Sequence, residues 1–286
     1  MDGQHLRTDR RDLLELDPER RIKIIQADVW VDYQPSESIF RIINNIADVP
    51  SRITAPAILV TGPGGAGKTA IVKQIPNRVK NSGGLVFIDM AEDPGIRVNK
   101  SLRFELARAM GLPVDSAAFS NPRIDMPKEL GEVIKLRKIW GVVIDELHDA
   151  LLRNKQEQRM NMSILKKLLG ESYGLAIIGF GTEAARSALS SNSEFKRRFH
   201  EFVLTDWHES EEFRAFLLEM EELIPLKKPS YLYSEEMVKA ILNATEGRMD
   251  KTIELLKSSA SYAIRKGVEA IDLECLSLAS RNPWGY

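Results

Sequence analysis

Ala57-Ile58-Leu59-Val60-Thr61-Gly62-Pro63-Gly64-Gly65-Ala66-Gly67-Lys68-Thr69-Ala70 is the stretch that decides the fold. Ala57–Val60 is a short apolar run of the length of a buried parallel strand. It ends in a glycine-rich turn, and a helix is expected from about residue 67. Gly62 to Thr69 matches G-x-x-x-x-G-K-[ST] in full. In this motif glycines let backbone N–H groups turn inward around phosphate oxygens. The helix N-terminus adds partial positive charge. Gly62, Pro63, Gly64, Gly65, Ala66, Gly67, Lys68, Thr69 and Ala70 therefore form the expected phosphate cradle. Lys68 reaches the β and γ phosphates, and the Thr69 hydroxyl is an expected Mg²⁺ ligand.

Other apolar runs extend the pattern outward. Leu85–Ile88 follows the turn signal Ser82-Gly83-Gly84, Trp140–Ile144 is a third strand candidate, and Leu175–Ile178 a fourth. Phe202-Val203-Leu204 is a possible fifth. Helical stretches are expected over 66–80, 99–110, 127–138 and 160–169. Strands alternating with helices predict an α/β fold: a P-loop NTPase with a parallel sheet flanked by helices. After Asp206 helices are expected over 209–224, 234–245 and 249–266, with few strand signals. The expected organisation is an arm over 1–28, a nucleotide-binding domain over 29–207 and a small helical lid domain over 208–286. The arm reads equally as a helical segment or a solvated tail.

A P-loop predicts a second acidic strand end, and Val142-Val143-Ile144-Asp145-Glu146 supplies it. Asp145 would hold Mg²⁺ through water, and Glu146 would polarise the attacking water as general base. The fourth strand ends in Gly179-Phe180-Gly181-Thr182, on the phosphate side of a parallel sheet. Thr182 is expected either as a polar sensor of the γ-phosphate or as a helix N-cap. Lys196-Arg197-Arg198-Phe199 offers two arginines suited to spread phosphoryl charge, supplied to a neighbouring subunit. Arg197 and Arg198 cannot be told apart by sequence. Arg248 and Lys251, at the start of the last long helix, compete as a cation reporting on the nucleotide. The four histidines, His5, His148, His200 and His208, have no metal-ligand spacing, and His148 is left unassigned.

Composition narrows the function classes. The chain has 286 residues, with 40 Lys and Arg against 41 Asp and Glu, a net charge of −1. That balance excludes coating of nucleic acid by bulk basicity but leaves room for a local basic surface. No apolar run has the ~18 residues of a membrane span. The opening MDGQHLRTDRRDLLELDPERR lacks the apolar centre of a secretory signal. A single cysteine, Cys275, excludes an internal disulfide and a cysteine-based zinc cluster. These features set a cytoplasmic expectation.

Two phosphate motifs, a polar strand end, an arginine pair and a helical lid together resemble the AAA+ ATPases. More narrowly, the chain resembles the TniB/TnsC family of transposition ATPases over roughly residues 28–275. The resemblance rests on the 62–69 motif, Val-Ile-Asp-Glu-Leu-His at 143–148 and Ile-Gly-Phe-Gly-Thr-Glu-Ala-Ala at 178–185. Phe-Lys-Arg-Arg-Phe at 195–199, Leu-Thr-Asp-Trp at 204–207, Leu-Ile-Pro-Leu at 223–226 and Glu-Gly-Arg-Met at 246–249 add to it. The chain departs from the pattern at Asp250, where the family's lid motif has a second small residue. The resemblance implies an ATP-hydrolysing, Mg²⁺-dependent, DNA-binding regulator of DNA transposition. It would assemble as a ring or filament on duplex DNA, independently of sequence, and link a TniQ-type target-selection protein to a DDE-type transposase. It also implies DNA contacts in the loop Met90–Lys100, through Arg97 and Lys100. Two other readings stand beside it: a P-loop kinase acting on a small molecule, and a nucleotide-gated scaffold with little hydrolysis.

Overall fold

The computed structural model describes residues 3–48, 54–92, 100–112 and 129–286. The chain divides by packing into two compact units. One holds Ser38–Gly64 and Lys68–Leu204. The other holds the described residues up to Glu37, Gly65–Gly67 and Thr205–Tyr286. The sequence reading drew its divisions at 28 and 207; packing divides the chain at Glu37/Ser38 and Leu204/Thr205.

The α/β unit is built on five parallel strands, β1 (Ala57–Thr61), β2 (Leu85–Asp89), β3 (Gly141–Asp145), β4 (Ala176–Gly181) and β5 (Phe199–Val203). Their order across the sheet is β2-β3-β4-β1-β5. β1, β3 and β4 are buried along their whole length. Strands covered on both faces read as continuous apolar runs, which is why these three were legible. β5 lies on the edge and has only half-buried and exposed positions. Its sequence, Phe199-His200-Glu201-Phe202-Val203, therefore looks polar. The fifth strand was expected at 202–204; it spans 199–203, because this strand buries no residue fully and so does not show as an apolar run. Register is in phase throughout: Ala57 lies beside Phe199 and Ile177, and Thr61 beside Val203 and Gly181. All five C-terminal strand ends thus share one edge of the sheet. Helices Lys68–Arg78, Leu102–Ala109, Glu129–Leu136, Lys155–Leu169 and Glu183–Ser190 flank it. The last four close one core with the sheet, including Leu106, Leu130, Ile144, Leu165, Leu168 and Ile177.

The helical unit joins the N-terminal helix Pro18–Gln26 to Glu211–Leu223, Glu235–Thr245, Met249–Arg265 and Leu273–Arg281. Local signals fix the helix starts. Asp17 accepts from Arg20 N at 3.0 Å with Pro18 in the first turn, and Asp272 accepts from Cys275 N at 2.8 Å. Ile22, Ile25 and Val31 share a core with Phe213, Phe216, Leu256, Ala260 and Cys275. The N-terminal segment is thus a packed part of this unit, not a solvated tail.

Arg21 anchors it. This side chain is 2% exposed and grips Glu269 with both guanidinium nitrogens, at 2.7 and 2.5 Å. One of them also donates to Pro225 O at 3.2 Å. Burial pushes the Glu269 carboxyl upward, but the Arg21 hydrogen bonds and charge outweigh it and hold the carboxyl below its ordinary range. A carboxyl depressed in the folded state stabilises above its unfolded pKa. That contribution is lost as pH falls through the lower folded value. Arg21→Ala should therefore destabilise the protein by about 3–5 kcal/mol at neutral pH. The gap to wild type in urea unfolding should shrink as pH drops below the usual glutamate range. A gap that stays constant across that range would mean Glu269 is not held ionised by Arg21.

Candidate nucleotide site

The site is built where β1, β3 and β4 end. β1 delivers the chain into the turn at Gly62. Gly65 and Gly67 take φ values of +81° and +82°, a left-handed region that a β-carbon penalises and that turns the amides into a cradle. Helix Lys68–Arg78 begins at once, so its N-terminal dipole faces the same space. Gly64, Thr69 and Ala70 are exposed to a ligand, whereas Lys68 is only 6% exposed. Lys68 Nζ donates to Gly62 O at 2.9 Å and to Pro63 O at 2.7 Å. The ammonium is thereby held over its own loop.

β3 brings the carboxylates. Asp145 ends the strand 5% exposed, and its Oδ1 accepts from Glu146 N at 2.9 Å. Met90 N, just past β2, donates to Asp145 O at 3.1 Å and carries the strand pairing one residue further. Glu146 then adopts φ +50°, ψ +42°. For a non-glycine residue this left-handed conformation costs on the order of 1 kcal/mol or more. It breaks the strand at once and starts helix Leu147–Leu151. Burial lowers the Lys68 ammonium from its ordinary value, and the charges of Glu146 and Asp145 pull it partly back. The loop lysine and the acidic strand end therefore share one electrostatic site. Burial likewise raises the Glu146 carboxyl, opposed most by His148, while Asp145 adds to the rise. A carboxylate moved toward neutrality is better matched to proton abstraction near pH 7. A hydroxyl at Thr69 and a carboxylate at Asp145 are hard oxygen donors, and this donor chemistry fits Mg²⁺. Among the described residues no cluster of three or more His, Cys, Asp or Glu forms a protein-only metal site.

The remaining expected residues separate into groups. Thr182 follows β4 and occupies the N-cap position of helix Glu183–Ser190, but its side chain makes no capping hydrogen bond. Arg197 and Arg198 close helix Ser193–Arg198 immediately before β5. Because β5 runs parallel to β1, they sit at the edge of the sheet opposite the phosphate loop. Four residues of strand, about 13 Å, separate Phe199 from the level of Thr61. Arg248 and Lys251 belong to the helical unit. Arg248 forks onto Asp250 at 2.8 and 3.2 Å, and Lys251 pairs with Glu246 at 3.0 Å. Arg97 lies outside the described residues. Lys100 is half-buried and donates to Asp89 O at 3.0 Å.

One group escaped sequence reading. Thr61, the last residue before the loop, donates to Glu201 Oε1 at 3.0 Å, and Glu201 Oε2 lies 3.1 Å from Arg186 Nε. This chain of bonds ties β5 to the root of the phosphate loop and to the helix after Thr182. The late start assigned to the fifth strand hid it, because Glu201 then read as loop.

A parallel sheet in this order, with a glycine-rich cradle and a paired acidic strand end, defines an AAA+ P-loop ATPase. The solved structures agree on the fold. The ORC2 protein of Aeropyrum pernix, in its ADPNP–ADP complexes, is 15% identical with a TM-score of 0.63, over 92% of this chain and 72% of that one. A Walker-type ATPase of Pyrococcus abyssi is 13% identical, TM-score 0.56, over 88% and 71%. The RuvB branch migration motor of Thermotoga maritima is 13% identical, TM-score 0.51, over 90% and 72%. A search of the curated proteins finds no match. The family model described as "Bacterial TniB protein" matches residues 21–209, and the chain belongs to the TniB family. No helix among the described residues is long and apolar enough to cross a membrane.

Lys68→Ala removes the one cation buried in the cradle. Binding of a fluorescent ATP analogue should weaken at least tenfold, ~1.4 kcal/mol. Unchanged affinity would remove Lys68 from the phosphate site.

Proposed function

We propose that this chain is an ATP-dependent, DNA-binding regulator of DNA transposition. It oligomerises on duplex target DNA and links a TniQ-type target-selection protein to a DDE-type transposase. Family membership carries the transposition reading. The position of Arg197 and Arg198 supports assembly. An arginine side chain cannot span the sheet to its own phosphate loop, so any work these residues do on a γ-phosphate is done on a neighbour's. Hydrolysis would then be coupled to the presence of that neighbour.

Within one subunit the amides of Gly62–Ala70 and the Lys68 ammonium hold the β and γ phosphates. Thr69 and Asp145 are the residues that would hold Mg²⁺, whose charge offsets that of the phosphates when bound. Glu146 accepts the proton of the attacking water. Thr182, with its hydroxyl unused in capping, orients that water or senses the γ-phosphate. Arg248 and Lys251 are the alternatives for a cation reporting from the helical unit. Lys100 and Arg97 contact DNA phosphates, which positions duplex without reading its sequence.

Glu146→Gln preserves the shape of the site and removes the proton acceptor. It should bind ATP as wild type does and turn it over about a hundredfold more slowly. Rings or filaments formed with ATP and duplex DNA should then persist in negative-stain images, while ADP gives none with either protein. Wild-type turnover would refute the base assignment, and particles indifferent to nucleotide would refute the assembly reading. Arg97→Ala with Lys100→Ala should weaken binding to every duplex sequence alike. The slope of log K against log salt should become shallower by about 2. An unaltered slope would put the DNA path elsewhere.

A further inference from the structure

His148 stands two residues beyond Glu146 with no assigned task. Its side chain is 18% exposed, against 28% for Glu146. Nδ1 lies 3.1 Å from Glu146 Oε2, within hydrogen-bond range. The angle is not yet that of a hydrogen bond, and Nδ1 is buried without a partner. Leaving such an atom unpaired costs about 1–3 kcal/mol, and a small rotation of the carboxylate toward it removes that cost. The other ring nitrogen, Nε2, is 3.6 Å from Asp149 Oδ1, whose second oxygen accepts from Glu92 N at 3.3 Å.

The ring also lies close to the sheet. A β-carbon on Gly181, the last residue of β4, would stand 3.6 Å from His148 Nδ1 and 3.5 Å from its backbone nitrogen. Both are ordinary van der Waals distances, so His148 lies beside the end of the strand that leads into Thr182. His148 thus touches the acidic tip of β3 on one side and the end of β4 on the other.

We propose that His148 is the positioning residue for the general base: with its proton on Nδ1 it holds Oε2 of Glu146, so that the other carboxylate oxygen faces the attacking water. This rests on the assignment of Glu146 as base. Placement by a side chain that never touches the reacting atoms acts on the rate of the chemical step and leaves nucleotide affinity alone.

Steady-state ATP hydrolysis by the full chain, in the assembled state with duplex DNA, tests it. His148→Ala should lower kcat by about ten- to a hundredfold with KM for ATP within about twofold. His148→Asn puts an amide nitrogen where Nδ1 stands and should recover most of the rate. His148→Gln carries its nitrogen out to the place of Nε2 and should not. In a Glu146→Gln background, His148→Ala should cost nothing further, because its only route to the reaction is already gone. Wild-type kcat in His148→Ala, equal rates in the Asn and Gln variants, or a full further loss in the double variant would each overturn the proposal. If His148→Ala fails to fold, the Asn and Gln pair decides alone. Glu146→Gln by itself separates the two claims. Normal turnover there defeats the base assignment, whereas slow turnover beside a normal His148→Ala defeats only the role of His148.

Discussion

The arrangement depends on one buried cation facing two carboxylates at the same edge of a sheet. Lys68 is out of water, and burial alone would drive it toward its neutral form. Asp145 and Glu146 oppose that by charge. Glu146 is itself pushed toward protonation by burial and by Asp145. Lys68 and Glu146 are each strained by desolvation and relieved by the other's charge, and the phosphates of a bound nucleotide would enter a field already in place. A preorganised field of this kind needs no reorientation at the moment of reaction, which is where electrostatic catalysis gains most. The parallel sheet makes it possible. With every strand running one way, the loop after β1, the carboxylates after β3 and Thr182 after β4 emerge side by side.

The same geometry sends Arg197 and Arg198 to the other edge, because they precede a strand instead of following one. This fold separates phosphate grip from arginine by the length of β5. The link Thr61–Glu201–Arg186 crosses that length part of the way: Glu201 sits mid-strand on β5 and holds both the root of the cradle and the helix behind Thr182. The single carboxylate of Glu201 thus joins β5 to Thr61 and to Arg186.

What could be read in advance followed burial. Ala57–Val60, Val142–Ile144 and Ala176–Ile178 are covered on both faces, so their sequences are unbroken apolar runs and their ends mark the site. The cradle and Asp145-Glu146 were legible because the chemistry demands those residue types at those strand ends. β5 was misplaced because none of its residues is fully buried and its first half carries His200 and Glu201, so Glu201 was lost with it. The N-terminal segment was ambiguous because its anchor is a charged residue. Arg21 looks like any solvated arginine until Glu269, 248 positions away, is found beside it. The sequence put His148 just after the acidic strand end but gave it no partner, and a lone histidine gains meaning only from what the fold sets around it.

Arg21 and Lys68 show that burial of charge serves two ends in this chain. Arg21 is matched by the carboxylate of Glu269 in a two-pronged pair, so its charge is largely spent within the protein and what it secures is a packed N-terminal helix. Lys68 is matched only by two backbone carbonyls and the more distant carboxylates of β3. Carbonyl dipoles compensate a full charge poorly in a dry site, which leaves Lys68 with attraction to spare for an anion. The difference between a structural cation and a binding one lies in how completely the protein itself has neutralised it.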